Sequence, residues 1–195
     1  MNDDRVRLSK ELMREQAMKN KAPSWLLIEL AVSKGKELSM KYNVDESLVL
    51  SSLYLAHTVF DPGWKGEIQH NHTTLSSTFA KKYLDERSVD HERQDIILNA
   101  IQAHHNAIPC QTKVAEVMKN AECFKFVSVE GSLIWLHALG LRWILFETAV
   151  QRVLEKMEMK MQLLTLDDCV VEAQENCKVI RGMFRFRSFG EESKN

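Results

Sequence analysis

The chain has 195 residues, 45% of them hydrophobic, enough for a full core and most simply one domain. With 26 basic against 27 acidic residues the net charge is −1 and the pI is about 6.7, which argues against nucleic acid as a partner. The four cysteines, Cys110, Cys123, Cys169 and Cys177, lack any C-x-x-C spacing. That argues against a zinc ribbon and reads as reduced thiols.

The opening MNDDRVRLSKELMREQ is charged throughout. We expect no signal peptide and a cytoplasmic location. Seven glycines, three prolines and the absence of sustained strand alternation predict an all-α fold. A polar helix is expected over 3–20. Pro23 and Ser24 open a second, which Asn43 breaks. Asp45 can cap a third, ending near Asp61 because Pro62 disfavours helical geometry at the residue before it. A loop over 61–71 leads to a fourth helix at about 72–86 and a fifth at about 90–104. A sixth begins after Thr112. A long seventh is expected from Glu130 to Leu164, with Leu133, Leu136, Gly140, Trp143, Phe146, Val150, Val153 and Met157 near one stripe; its outer end could serve as a homodimer seam. Within it, the apolar run at 132–150 carries His137, Arg142 and Glu147, each costly in hydrocarbon, so no membrane association is expected. Thr165 and Asp168 resemble a capping box opening an eighth.

Two arrangements suit the basic and aromatic run RGMFRFRSFG at 181–190. It could stack on single-stranded nucleic acid. It could equally be a helix end packing Met183, Phe184 and Phe186 onto the core.

Chemistry concentrates between Leu53 and Glu122, where six of the seven histidines lie. His57 and Asp61 are four apart and share a helix face, a geometry that suits an imidazole–carboxylate metal pair. Asp61 is also the first residue of an Asp-Pro-Gly turn. His72 stands ahead of an amphipathic helix. Ile97, Ala100, Ile101 and His104 form one face, which turns His104 inward, while His105 lies about 100° further round. Histidines also suit a helix C-terminus electrostatically. Glu122 falls beside the apolar face of Val114, Val117, Met118 and Ala121, where a carboxylate needs a partner.

These frames, LYLAHTVFD, HTTLSSTFAKKYL, NAIQAHH and KNAE, resemble the HD-domain superfamily of metal-dependent phosphohydrolases in wording and in order. The resemblance covers roughly 24–150. It implies an HD-domain-like helical bundle at 24–150, preceded by an N-terminal helix at 1–23 and followed by a helical-hairpin extension at 151–195. His57 takes the histidine of the His-Asp pair and Thr58 stands where aspartate is expected. His72 takes the histidine that opens a helix, His104 and His105 match the His pair, and Glu122 replaces the last aspartate. The family's first histidine has no counterpart: Trp25 stands near its place, and Glu29 is the only nearby ligand type. The resemblance implies hydrolysis of a nucleotide or other phosphate ester at an eroded metal site. The ligands expected are His57, Asp61, His72, His104, His105 and Glu122. Manganese, iron, zinc or cobalt suit such a mixed set, if any metal binds. Lys65, Lys81, Lys82, Lys113 and Lys119 lie near the expected mouth in sequence; Lys81 and Lys113 are the candidates for phosphate binding. The alternative is a catalytically inactive HD-like protein that binds a nucleotide or a protein partner.

Overall fold

The computed structural model describes residues 2–20, 23–59, 67–105 and 108–184. Among the described residues there are nine helices and no strand. They are α1 (Asn2–Asn20), α2 (Trp25–Tyr42), α3 (Glu46–Leu55), α4 (Glu67–Asp85), α5 (His91–Ala103), α6 (Lys113–Val127), α7 (Val129–Gly140), α8 (Phe146–Met161) and α9 (Asp167–Met183).

Helix α6 is the hub, packing on α2, α3, α5, α7, α8 and α9. Its sequence explains this: twelve of its fifteen residues are buried, eight of them apolar, with Lys119, Asn120, Glu122 and Lys125 buried among them. One hydrophobic core runs from Met13 of α1 through α2–α6 to Cys169, Cys177 and Ile180 of α9, with Met157 of α8 included. The expected extension at 151–195 therefore shares the main core, and its start falls inside α8. A turn requires close approach at Gly131, where a Cβ would meet the Lys125 carbonyl oxygen at 1.6 Å; only glycine lets α7 fold back on the end of α6.

Side chains close several helix ends, that of Asp45 as expected. Asp45 accepts from the amides of Ser47 and Leu48, and Asp90 and Thr112 cap α5 and α6. Asn43, Ser88 and Trp143 have positive φ. Each ends a helix in the same way. The amide of the following residue reaches back to a carbonyl five positions earlier: Val44 to Ser39, Val89 to Leu84 and Ile144 to Leu139.

The third of these breaks the expected long seventh helix. Trp143 at φ 59 reverses the chain, so α7 and α8 are separate. A bulky aromatic is not a residue from which a left-handed stop is read. The stripe holds at Val150, Val153 and Met157, but Leu133, Trp143 and Phe146 are exposed. Helix α3 ends at Leu55, well short of 61, and α4 begins at Glu67 rather than 72. The expected capping box does not form. Leu166 precedes α9 without a side-chain cap, while the buried Asn120 side chain accepts from the amides of Thr165 and Leu166. Asp168 instead pairs with Lys41 and Tyr42. All four cysteines are free. Phe184 packs against the core and Met183 is exposed, whereas Phe186 lies outside the described residues. Among the described residues no helix is long and apolar enough to cross a membrane.

Candidate metal centre

Four separate segments bring the candidate ligands to one place. His57 lies in the turn that follows α3, His72 lies in α4, His104 and His105 follow α5, and Glu122 lies in α6. The rings pack closely: centroids are 5.7 Å apart for His57 and His72, 5.4 Å for His72 and His104, and 4.4 Å for His104 and His105. Asp61 and Lys65 lie outside the described residues.

Two sets of ligand atoms lie within 4.8 Å of one another: His57, His104 and Glu122, and His72, His104 and His105. His104 belongs to both. Its Nδ1–H donates to the Ile101 carbonyl at 2.6 Å, which leaves Nε2 bare and facing His72 Nε2 at 3.3 Å. His57 Nε2 lies 3.0 Å from Oε1 of Glu122. Two ligands about 2.1 Å from one ion, at tetrahedral to octahedral angles, are about 3.0–3.4 Å apart. One pair in each set therefore has the spacing of two ligands of one cation, and the nitrogen-rich donors suit a transition metal over magnesium or calcium.

The electrostatics favour neutral rings. Burial, with Lys125 adding to it against Glu122, pushes the His57 imidazole down. Burial and the neighbouring His105 push His104 well below its ordinary value. Burial and Lys160 hold His105 down to about 2. Each ring thus keeps a lone pair at neutral pH. For Glu122, burial pushes the carboxyl up, but Lys125 and His57 prevail and hold it well below the usual carboxylate range.

At the position where the resemblance expects an aspartate, the residue has a local role. Thr58 is buried, and its hydroxyl donates to the Leu55 carbonyl at 3.0 Å, closing the end of α3. Trp25 stacks on Tyr54, and Glu29 pairs with Lys10 of α1, so neither supplies the absent first histidine.

The lysines differ from expectation. Lys81 is exposed and pairs with Asp85. Lys113 pairs with Glu116 and lies over the Tyr42 ring. Each is nine residues from the cluster residue of its own helix, roughly 13 Å along the axis. Lys113 and Lys119 instead line a separate surface cleft of about 330 Å³ with Thr112 and Thr165. Lys82 is exposed near Glu86.

Two other lysines meet the cluster and a third lies near them. Lys125 is 2% exposed; its Nζ lies 2.8 Å from the Glu122 carboxylate and 3.4 Å from His57 Nε2. Lys160 is fully buried and donates to His105 Nε2 at 3.3 Å. Lys156 lies one turn before Lys160 on α8. The signals were in the sequence. Lys125 follows Glu122 by three positions, and Lys160 continues the buried stripe of Val153 and Met157.

No family model matches this chain, and no curated protein or solved structure matches it either.

Proposed function

We propose that this chain is a divergent HD-domain protein whose histidine–glutamate cluster binds a divalent transition metal and hydrolyses a nucleotide or other phosphate ester. The observation that carries the reading is His104. Its Nδ1–H is committed to a backbone carbonyl, which leaves Nε2 as the nitrogen it can offer, and His104 stands in both ligand sets. A buried, tautomer-fixed imidazole shared by two triads is arranged as metal ligands are. His57 and Glu122 complete one set and His72 and His105 the other. When bound, the ion would supply a Lewis acid and an activated water. The chain's part is to hold its ligands neutral and oriented, with Glu122 the charged one.

The test is calorimetric titration with manganese and zinc, together with a phosphatase screen. Wild type is expected to bind one or both ions, and His104→Ala to lose them with a retained fold by circular dichroism. Absence of uptake by folded wild type, or full uptake by His104→Ala, would sink the reading.

A second reading has its own support. Lys125 already sits on Glu122 and beside His57, where a cation would go, and Thr58 supplies no carboxylate. On this reading the chain is a catalytically inactive HD-like protein that binds a nucleotide or a protein partner. Absent turnover of simple phosphate esters fits the second reading, weak turnover fits the first, and brisk turnover with stoichiometric metal excludes the second.

A further inference from the structure

Around the partly exposed ring of Phe126 stand three ammonium groups, with Lys125 Nζ at 5.1 Å from the centroid, Lys156 Nζ at 5.3 Å and Lys160 Nζ at 5.7 Å. Lys125 and Lys160 are buried and Lys156 is half-buried. The groups that bear most on Lys156 are Lys160, Glu122, Lys125 and Cys123, so Glu122 is the one carboxylate among them. Three lysines thus gather around one carboxylate, although burial pushes Lys125 down and, with Lys160, holds Lys156 down to about 8. Buried charge is costly without a counter-charge, and a chain that gathers lysines there has a use for them. Lys125 serves Glu122, and Lys160 spends one of its donors on His105. Lys156 has no hydrogen-bonded partner among the described residues beyond its place over the ring. Trp135 packs edge-on against the same ring at 5.8 Å, and its indole N–H is buried without an acceptor. An acceptor-rich anion is the kind of partner that each of these donors lacks.

We infer that Lys156 and Lys160, backed by Lys125, form a subsite for the dianionic phosphate group of a monoester on the Phe126 side of the histidine cluster, an assignment that rests on the phosphohydrolase reading above. A monoester phosphate carries close to two negative charges near neutral pH, whereas a diester carries one. Several lysine donors gathered at one ring suit the three terminal oxygens of the first class better than the two of the second. Entry is from the Phe126 and Lys156 side, where both residues reach solvent.

The experiment titrates the full chain by calorimetry with methyl phosphate, a dianion, and dimethyl phosphate, a monoanion, in chelator-treated buffer. Methyl phosphate is expected to bind about tenfold tighter or more, the worth of one charge-assisted hydrogen bond. Lys156→Met and Lys160→Met should each weaken methyl phosphate about tenfold and leave dimethyl phosphate little changed. Methionine matches the buried stem, and thermal melts check folding; Lys160→Gln serves if Lys160→Met does not fold. Equal affinity for the two probes, no binding of methyl phosphate by wild type, or unchanged binding in either position's variant overturns the subsite. Manganese titration of the same samples separates the two proposals. Lysine-dependent phosphate binding without metal uptake removes the hydrolase reading and keeps the subsite, and metal uptake without lysine-dependent binding does the reverse.

Discussion

Lys125 decides how the cluster treats a cation. Its ammonium and a divalent ion both need Glu122, and the ion also needs His57. Substituting Lys125→Met removes the competitor and the repulsion it exerts. Manganese or zinc affinity should rise about tenfold or more, the equivalent of one charge-assisted bond no longer displaced. The metal-free variant should also melt lower, because Glu122 loses its buried partner, and added metal should restore the melt. A variant that binds metal more weakly than wild type would show that Lys125 supports the site. The histidines make a second prediction. His57, His104 and His105 have folded pKa values below the ordinary 6.5, with His105 at about 2. Below pH 6.5 the unfolded chain takes up protons that the folded chain refuses. Stability is therefore complete above that pH and falls as acid is added, by about 1.4 kcal/mol per pH unit for each such ring. Thermal melts at pH 7.5 and 5.5 should differ by several degrees, and an acid-insensitive melt would contradict the buried neutral rings. His104 and Glu122 were legible as inward-facing from periodicity alone. Lys125 and Lys160 carried a partial signal, a spacing of three from Glu122 and a place on the stripe of Val153 and Met157, but their meeting comes from α6 and α8 packing together, which periodicity within one helix does not report.

At the scale of the element, the reversal at Trp143 is the clearest local conflict between sequence and conformation. The residue sits at φ 59 with its side chain 95% exposed, so it pays for a left-handed backbone with little packing in return. Trp143→Gly should raise stability by about 1 kcal/mol, or roughly 2–4 °C in Tm. A drop in Tm would mean that the indole makes a contact that matters. The caps at Asp45, Asp90 and Thr112 follow from local chemistry and are readable in the sequence. Asn120 shows the opposite case. It sits in the middle of α6, yet it holds the turn before α9 by accepting from Thr165 and Leu166. A partner more than forty positions away leaves no mark in the neighbouring sequence.

Across the whole molecule, the core admits no division at residue 150. Met157, Leu164, Leu166, Cys169, Ala173, Cys177 and Ile180 are buried in the same cluster as Leu53, Ile97 and Met118. A fragment of residues 1–150 would expose the faces of α6 and α7 that α8 and α9 cover. We expect it to show helix by circular dichroism but no cooperative melt. A sharp transition in that fragment would restore the reading of a separate C-terminal extension. The same truncation removes Lys156 and Lys160, so the cluster and its counterpart lysines depend on one folding unit.

The sequence by itself determined the helical class, most helix boundaries and the histidines and glutamate that gather at the centre. Those properties follow from glycine and proline scarcity, capping residues and a 3.6-residue period, all of which act over a few positions. Tertiary structure alone decided that Thr58 closes α3, that Trp143 divides the seventh helix, and that Lys125, Lys156 and Lys160 stand where Lys81 and Lys113 were expected. The lysine positions depend on which helix faces lie against each other, settled by burying the hydrophobic surface of all nine together, whereas Thr58 and Trp143 act through local bonds that their residue types do not announce.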